Sequence, residues 1–84
     1  MIFPIYSIKD SKVGFTPPTV DQNDGSAIRN FAYAINNGGI MNYSPNDFDL
    51  YKIGEFNDES GIVNSFKPPE FIVAGISVFG EKDK

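Results

Sequence analysis

Phe48-Asp49-Leu50-Tyr51-Lys52-Ile53-Gly54-Glu55-Phe56-Asn57-Asp58-Glu59-Ser60-Gly61-Ile62-Val63-Asn64-Ser65-Phe66 reads as two strands joined by a loop, and the fold class follows from it. Phe48 to Phe56 is rich in aromatic and β-branched residues. Its alternation is broken: Tyr51 and Ile53 share one face, while Phe56 falls on the other. A bulge at Gly54 returns Phe56 to the side of Tyr51 and Ile53, because one extra residue reverses the facing of everything after it. Asn57 to Gly61 has the composition of a hairpin loop longer than two residues and ending in glycine. Ile62 to Phe66 is then the partner strand, with Ile62, Asn64 and Phe66 facing one way and Val63 and Ser65 the other.

Upstream lies the best helix signal, Ser26 to Asn37. Ile28, Phe31, Ala32 and Ile35 recur at the spacing of one buried face. Asn23 or Asp24 can cap its start, and Gly38-Gly39 can end it. About three turns are marginal alone, so packing on a sheet must hold them. Ile2 to Ile8 reads as a first strand stopped by the charged turn Lys9-Asp10-Ser11-Lys12. Pro4 cannot donate to a ladder, so either this strand is an edge or its missing donor points away from the pairing. Val13 to Gln22, with Pro17-Pro18, is ordered loop or a short edge. Met41 to Asp47 is a connector, and Ser44-Pro45-Asn46-Asp47 has the start of a helical or type I turn. Beyond Pro68-Pro69, the β-branched content of Phe71 to Phe79 favours extended structure, but periodicity alone does not separate strand from helix there. A frayed tail is expected from Gly80 to Lys84. The expectation is one α+β domain over residues 1–84, a small antiparallel β-sheet with one α-helix packed on one face.

Eighty-four residues give a core that supplies only a few kcal/mol of net stability. No cysteine or histidine is present, which excludes disulfides and thiolate or imidazole metal sites. It also removes Ser-His and Cys-His nucleophilic catalysis. Acid pairs such as Asp47 with Asp49, or Glu55 with Asp58, are better read as solvated turns and strand faces, since burial is what shifts carboxyl groups toward acid-base work. The expectation is a protein that is not an enzyme and needs no cofactor. Eight Phe and four Tyr exceed what one short helix can cover. A self-association surface, most simply a homodimer, is the economical use for the remainder. No apolar run reaches the ~20 residues of a membrane span, and the N-terminus does not read as a signal peptide. An intracellular protein without membrane contact is expected.

Single-strand binding needs stacking aromatics beside cations. Candidates are Lys9 and Lys12 in the first turn, Arg29 and Tyr33 one turn apart on the helix, and Tyr51 beside Lys52. The competing reading makes the tyrosines rim or core residues and the lysines solvated charges. Eleven acidic against seven basic residues, a net charge of −4, favour that second reading, because such a balance opposes non-specific attraction to phosphate. Arg29 is the only arginine, and its planar donor suits a specific carboxylate or phosphate, with Asp47 or Glu55 as intramolecular alternatives.

Two stretches carry a family resemblance. Ile28-Arg29-Asn30-Phe31, continuing to Ile35-Asn36, is similar to the helix of the small nonstructural protein of gokushovirus-type microviruses, which are single-stranded DNA phages. Ser44 to Asp58, followed by Ser60-Gly61, is similar to that family's Pro-x-Asp-aromatic-x-Leu, Gly-x-Phe-Asp and Thr-Gly signature, with Asn57 where the family often has Asp. Together they span about half the chain. The resemblance implies a nonstructural, DNA-binding phage protein acting in single-stranded DNA replication or packaging in the host cytoplasm. A module that binds a phage or host replication protein without touching DNA is the alternative.

Overall fold

The computed structural model describes residues 1–80. The chain runs β1 (Ile2–Asp10), β2 (Gly14–Phe15), β3 (Thr19–Val20), α1 (Asp24–Asn36), α2 (Gly39–Tyr43), a 3-10 turn (Pro45–Asp47), β4 (Phe48–Asn57), β5 (Val63–Ala74) and α3 (Gly75–Val78). The antiparallel sheet has the order β2-β1-β4-β5, and β3 also pairs with β1. It is the expected α+β arrangement, with the helices packed on one face.

The hairpin forms as its sequence predicts. Gly61 N–H donates to Asn57 O at 2.8 Å, Asn57 N–H donates to Ile62 O at 2.9 Å, and the Asn57 side chain accepts from Glu59 and Ser60 N–H. The bulge lies at Ile53-Gly54: Tyr6 pairs with Lys52 and Ile5 with Gly54, leaving Ile53 as the extra residue. Tyr51, Ile53 and Phe56 therefore share one face. Glycine is required at this point because a Cβ on Gly54 would strike the Asn64 carbonyl oxygen across the ladder.

α1 begins two residues before the Ser26 expected, with Asn23, one of the two expected caps, at its start: Ser26 N–H donates to Asn23 Oδ1 at 2.8 Å. Its end is followed by Gly38 at φ 86°. Ala27, Phe31 and Ile35 are buried against Tyr6, Phe48, Leu50 and Val78, and Ile28 and Ala32 pack at the margin. Each large apolar side chain so buried contributes roughly 1.5–3 kcal/mol.

β1 is longer than its apolar run and lies inside the sheet. Asp21 N–H donates to Pro4 O at 3.2 Å on the β3 side, so the nitrogen of Pro4 faces that side as well and the pairing with β4 is spared. Phe71 to Phe79 divides: extended through Ala74, then one helical turn. Gly75 explains the break, since a Cβ there would lie 2.5 Å from both Phe48 O and Pro45 O. α2 was not foreshadowed by periodicity; Asn42 Nδ2 donates to Ile35 O at 3.1 Å and ties it to α1. Beyond Gly80 the expected frayed tail lies outside the described residues. No described helix is long and apolar enough to cross a membrane.

Candidate nucleic-acid interface

Alternation along β1 divides the sheet into two chemically different faces. Tyr6 and Ile8 point into the helix layer, and Phe3, Ile5, Ser7 and Lys9 therefore point outward. Pairing carries this division across the sheet. Lys9 opposes Phe15 of β2 and Asp49 of β4, Ser7 opposes Tyr51, and Tyr51 opposes Phe71 of β5. Three aromatic rings thus line up across the strands. Phe15 and Tyr51 have centroids 5.5 Å apart at an interplanar angle of 77°, and Tyr51 and Phe71 are 5.7 Å apart at 82°. These are edge-to-face contacts, each worth roughly 0.5–1.5 kcal/mol beyond area burial. Phe15 stays 48% exposed and Phe71 53%. The row is held in place by its own ring contacts and still open to a ligand.

Lys9 belongs to this row. Its Nζ lies 5.8 Å from the Phe15 centroid and 5.9 Å from that of Tyr51. Ser7 below is buried and fixed, its hydroxyl donating to Thr16 O at 2.7 Å. Thr16 Oγ1 in turn accepts from Ile8 N–H at 3.1 Å, which ties the segment after Phe15 to β1.

The helix side holds the other charges of the ladder. Asp10 and Glu55 fall there by register, and Lys52 and Glu70 oppose each other there. Lys52 Nζ lies 3.0 Å from Asp24 Oδ1 and 6.0 Å from the Tyr6 ring centroid. The Tyr6 hydroxyl donates a hydrogen bond to the same carboxylate oxygen. This bond and Lys52 hold the Asp24 carboxyl below the usual carboxylate range. Burial, then the hydrogen bond and negative charge of Asp24, push the Tyr6 phenol well above its ordinary value. An adjoining hollow of about 450 Å³ at the start of α1 is lined by Asp24 and Glu55 as well as Lys52, a composition unsuited to phosphate.

Of the six residues singled out from sequence, Lys9 and Tyr51 are brought together. Lys12 lies in the exposed β1–β2 turn beside them, its N–H donating to Asp10 Oδ1 at 2.9 Å. Lys52 follows Tyr51 in sequence but points to the opposite face, where Asp24 engages it. Arg29 and Tyr33 lie on the exposed side of α1, in the other layer of the molecule. Phe15 and Phe71 were missed. Phe15 sat in a stretch read as ordered loop or a short edge and Phe71 in an apolar run, and only the strand register places both beside Tyr51. Of the acids considered in pairs, Asp47 Oδ1 accepts from the Ser11 hydroxyl at 3.4 Å, and Asp58 Oδ1 pairs with the terminal amine of Met1 at 2.9 Å, both at the surface. Among the described residues no cluster of acids could hold a metal ion.

The family model described as Phage ORF5 protein matches residues 3–78. The chain belongs to this Phage ORF5 protein family. The match encloses every member of the aromatic row and both faces of the sheet, so this Phage ORF5 chain carries its candidate interface wholly within the shared region. It agrees with the phage origin that the Ile28–Asn36 and Ser44–Gly61 stretches imply. No curated protein and no solved structure matches the chain.

Proposed function

We propose that this phage protein acts in viral single-stranded DNA replication or packaging, as the gokushovirus-type resemblance implies, by binding single-stranded DNA on the outer face of its sheet. One observation carries the reading: Phe15, Tyr51 and Phe71 form a row across the strands with the Lys9 ammonium over two of its rings. Bases stack on such rings without sequence preference, and a cation within the row meets the phosphate between them. The net charge of −4 is less adverse than it looks from sequence. Asp10, Glu55 and Glu70 fall on the helix side of the ladder, and at the paired outward positions of β1 and β4 the charged residues are Lys9 and Asp49. On this reading the protein works in the host cytoplasm, without catalysis and without a cofactor.

The test is fluorescence anisotropy of a labelled oligothymidylate at two salt concentrations. Two phosphate contacts, from Lys9 and Lys12, give a slope of log affinity against log salt of about −1.4. Tyr51→Ala is expected to weaken binding by about 5- to 150-fold, the range of ~1–3 kcal/mol per stacked base. Arg29→Ala and Tyr33→Ala, in the other layer, should leave it unchanged. Absence of binding at low salt, or a Tyr51→Ala protein that binds as well as wild type, refutes the reading. In that event the alternative remains, a module that binds a phage or host replication protein without DNA.

A further inference from the structure

Beside the aromatic row stands a carboxylate that the stacking does not use. Asp49 lies two residues before Tyr51 on β4, and because Phe48 and Leu50 on either side of it are buried in the core, its side chain shares the outer face with Tyr51. Two residues of strand separate the two positions by about 7 Å. Across the ladder Asp49 opposes Lys9 on β1 and Ala74 on β5, and the alanine is too short to cover it. Lys9 Nζ sits over the Phe15 and Tyr51 rings, and among the described residues no ion pair or hydrogen bond engages the Asp49 carboxylate.

We infer that Asp49 reads the base stacked on Tyr51 and makes guanine the preferred one. The inference rests on the single-strand reading of the row. Stacking alone is tolerant of sequence, since every base has a π-face. The edge of a splayed-out base is not, and hydrogen bonds to its Watson–Crick edge are how single strands are read. An ionised carboxylate only accepts. Its match is therefore an edge with adjacent donors, and guanine supplies two, N1–H and the N2 amino group, one for each carboxylate oxygen. Adenine and cytosine present one amino group beside an acceptor nitrogen. Thymine presents N3–H between two carbonyl oxygens, which repel the carboxylate.

Charge placement supports this role. A carboxylate next to a phosphate-binding ammonium weakens the attraction for phosphate, and the other acids paired in the ladder, Asp10, Glu55 and Glu70, fall on the helix side. Asp49 is the exception, and it stands next to the middle ring of the row. An ion pair with Lys9 would occupy both groups at once. The ammonium stays over the rings instead, so that Lys9 is left for a phosphate and Asp49 for a base.

The experiment is fluorescence anisotropy of the full chain at low salt with labelled oligothymidylate, plain or carrying a single central guanine, hypoxanthine or adenine, on wild type and on Asp49→Ala. Hypoxanthine is guanine without the N2 amino group, so it keeps the purine ring and N1–H and loses one of the two donors. Wild type is expected to bind the guanine oligonucleotide at least about 5-fold more tightly than the hypoxanthine or adenine one, the lower end of the range for a bidentate base contact. Asp49→Ala should bind those three alike, and should bind plain oligothymidylate no more weakly than wild type does, because a charge adverse to phosphate is gone. Circular dichroism establishes that the variant is folded, and if it is not, the comparison of guanine with hypoxanthine on wild type decides the matter by itself. Equal wild-type affinity for guanine and hypoxanthine, or a guanine preference that survives Asp49→Ala, overturns the base reading, and binding of plain oligothymidylate then leaves the single-strand reading standing. Absence of binding to every oligonucleotide overturns both.

Discussion

Gly75→Ala isolates the contact that turns the end of β5 into the core. At this residue the chain leaves the sheet and begins α3, passing between two carbonyls of the preceding connection. A methyl group placed on Gly75 would stand 2.5 Å from both Phe48 O and Pro45 O, and 3.0 Å from Ile35 Cδ1. The methyl of Ile35 can rotate aside, but the two oxygens are backbone, one at the 3-10 turn and one at the start of β4. Relief must come from moving α3 outward, which lifts Val78, 4% exposed, away from Ile35 and Phe31. Overpacking of this kind costs roughly 1–3 kcal/mol, and backbone obstruction puts this site in the upper half. Reduced freedom of the unfolded chain returns about 0.4–1 kcal/mol, leaving a net loss of roughly 1–2 kcal/mol. With a urea slope near 1 kcal/mol per molar for a small domain, the unfolding midpoint should fall by about 1–2 M. Urea titration followed by tyrosine fluorescence or circular dichroism reads it directly. An unchanged or raised midpoint would show that α3 is not held against the 3-10 turn as described.

Two further outcomes follow from hydrogen bonds. Asn36 ties α1 to α3, its Nδ2 donating to Val78 O at 2.9 Å and its Oδ1 accepting from Gly80 N–H at 2.7 Å, so Asn36→Ala should cost roughly 1–3 kcal/mol in urea unfolding, and a neutral effect would refute the tie. Tyr6→Phe removes the donor to Asp24; hydrogen bonds to charged groups contribute roughly 1.5–3 kcal/mol, but the Asp24 side chain is 46% exposed and screened, which reduces the expected loss at neutral pH to about 1 kcal/mol. The carboxyl of Asp24 is depressed in the folded state, so its stabilisation is present above the unfolded value near pH 4 and is lost as pH falls through the lower folded value. The gap between wild type and Tyr6→Phe should therefore narrow toward pH 2, and an equal gap at pH 7 and pH 2 would sink the assignment.

The parts of the fold that were legible in sequence are those whose physics is local. Ile28, Phe31, Ala32 and Ile35 announce a helix face by spacing, and Asn57 to Gly61 announces a loop by composition. The bulge was legible for a subtler reason: Phe56 falls on the wrong side of Ile53 unless one residue is inserted, and Gly54 can accept the crowding that results. What was not legible depends on residues far apart in the chain. The break at Gly75 is imposed by carbonyls of Pro45 and Phe48, so the apolar run around it carries no mark of the change. α2 is similarly held from outside, through Asn42 and Ile35. The aromatic row is the extreme case, since Phe15, Tyr51 and Phe71 come from three strands and meet only through the register of four. A second bulge sharpens the point. Leu50 pairs with Val73 and Tyr51 with Phe71, so Ile72 is the extra residue, and without that shift Phe71 would not stand opposite Tyr51.

Two of the three register shifts in the sheet, the one at Ile53-Gly54 and the one at Ile72, have one joint result. Ile53-Gly54 returns Phe56 to the outer face on β4, and Ile72 leaves Phe71 on the outer face of β5 while itself packing against the core. Strict alternation would have turned one aromatic inward and one core residue outward. Each of these two leaves an extra residue unpaired in the ladder, which costs ladder hydrogen bonding. Both act to collect aromatic side chains on the face that no helix covers. At its paired positions on β1 and β4 that face carries Lys9 and Asp49 as its charges, with Lys9 over two of the rings. A purely structural sheet would bury such residues against a helix or replace them with polar ones. Their placement outward, fixed by edge-to-face contacts and supported below by Ser7 and Thr16, is what argues that this surface exists to be bound.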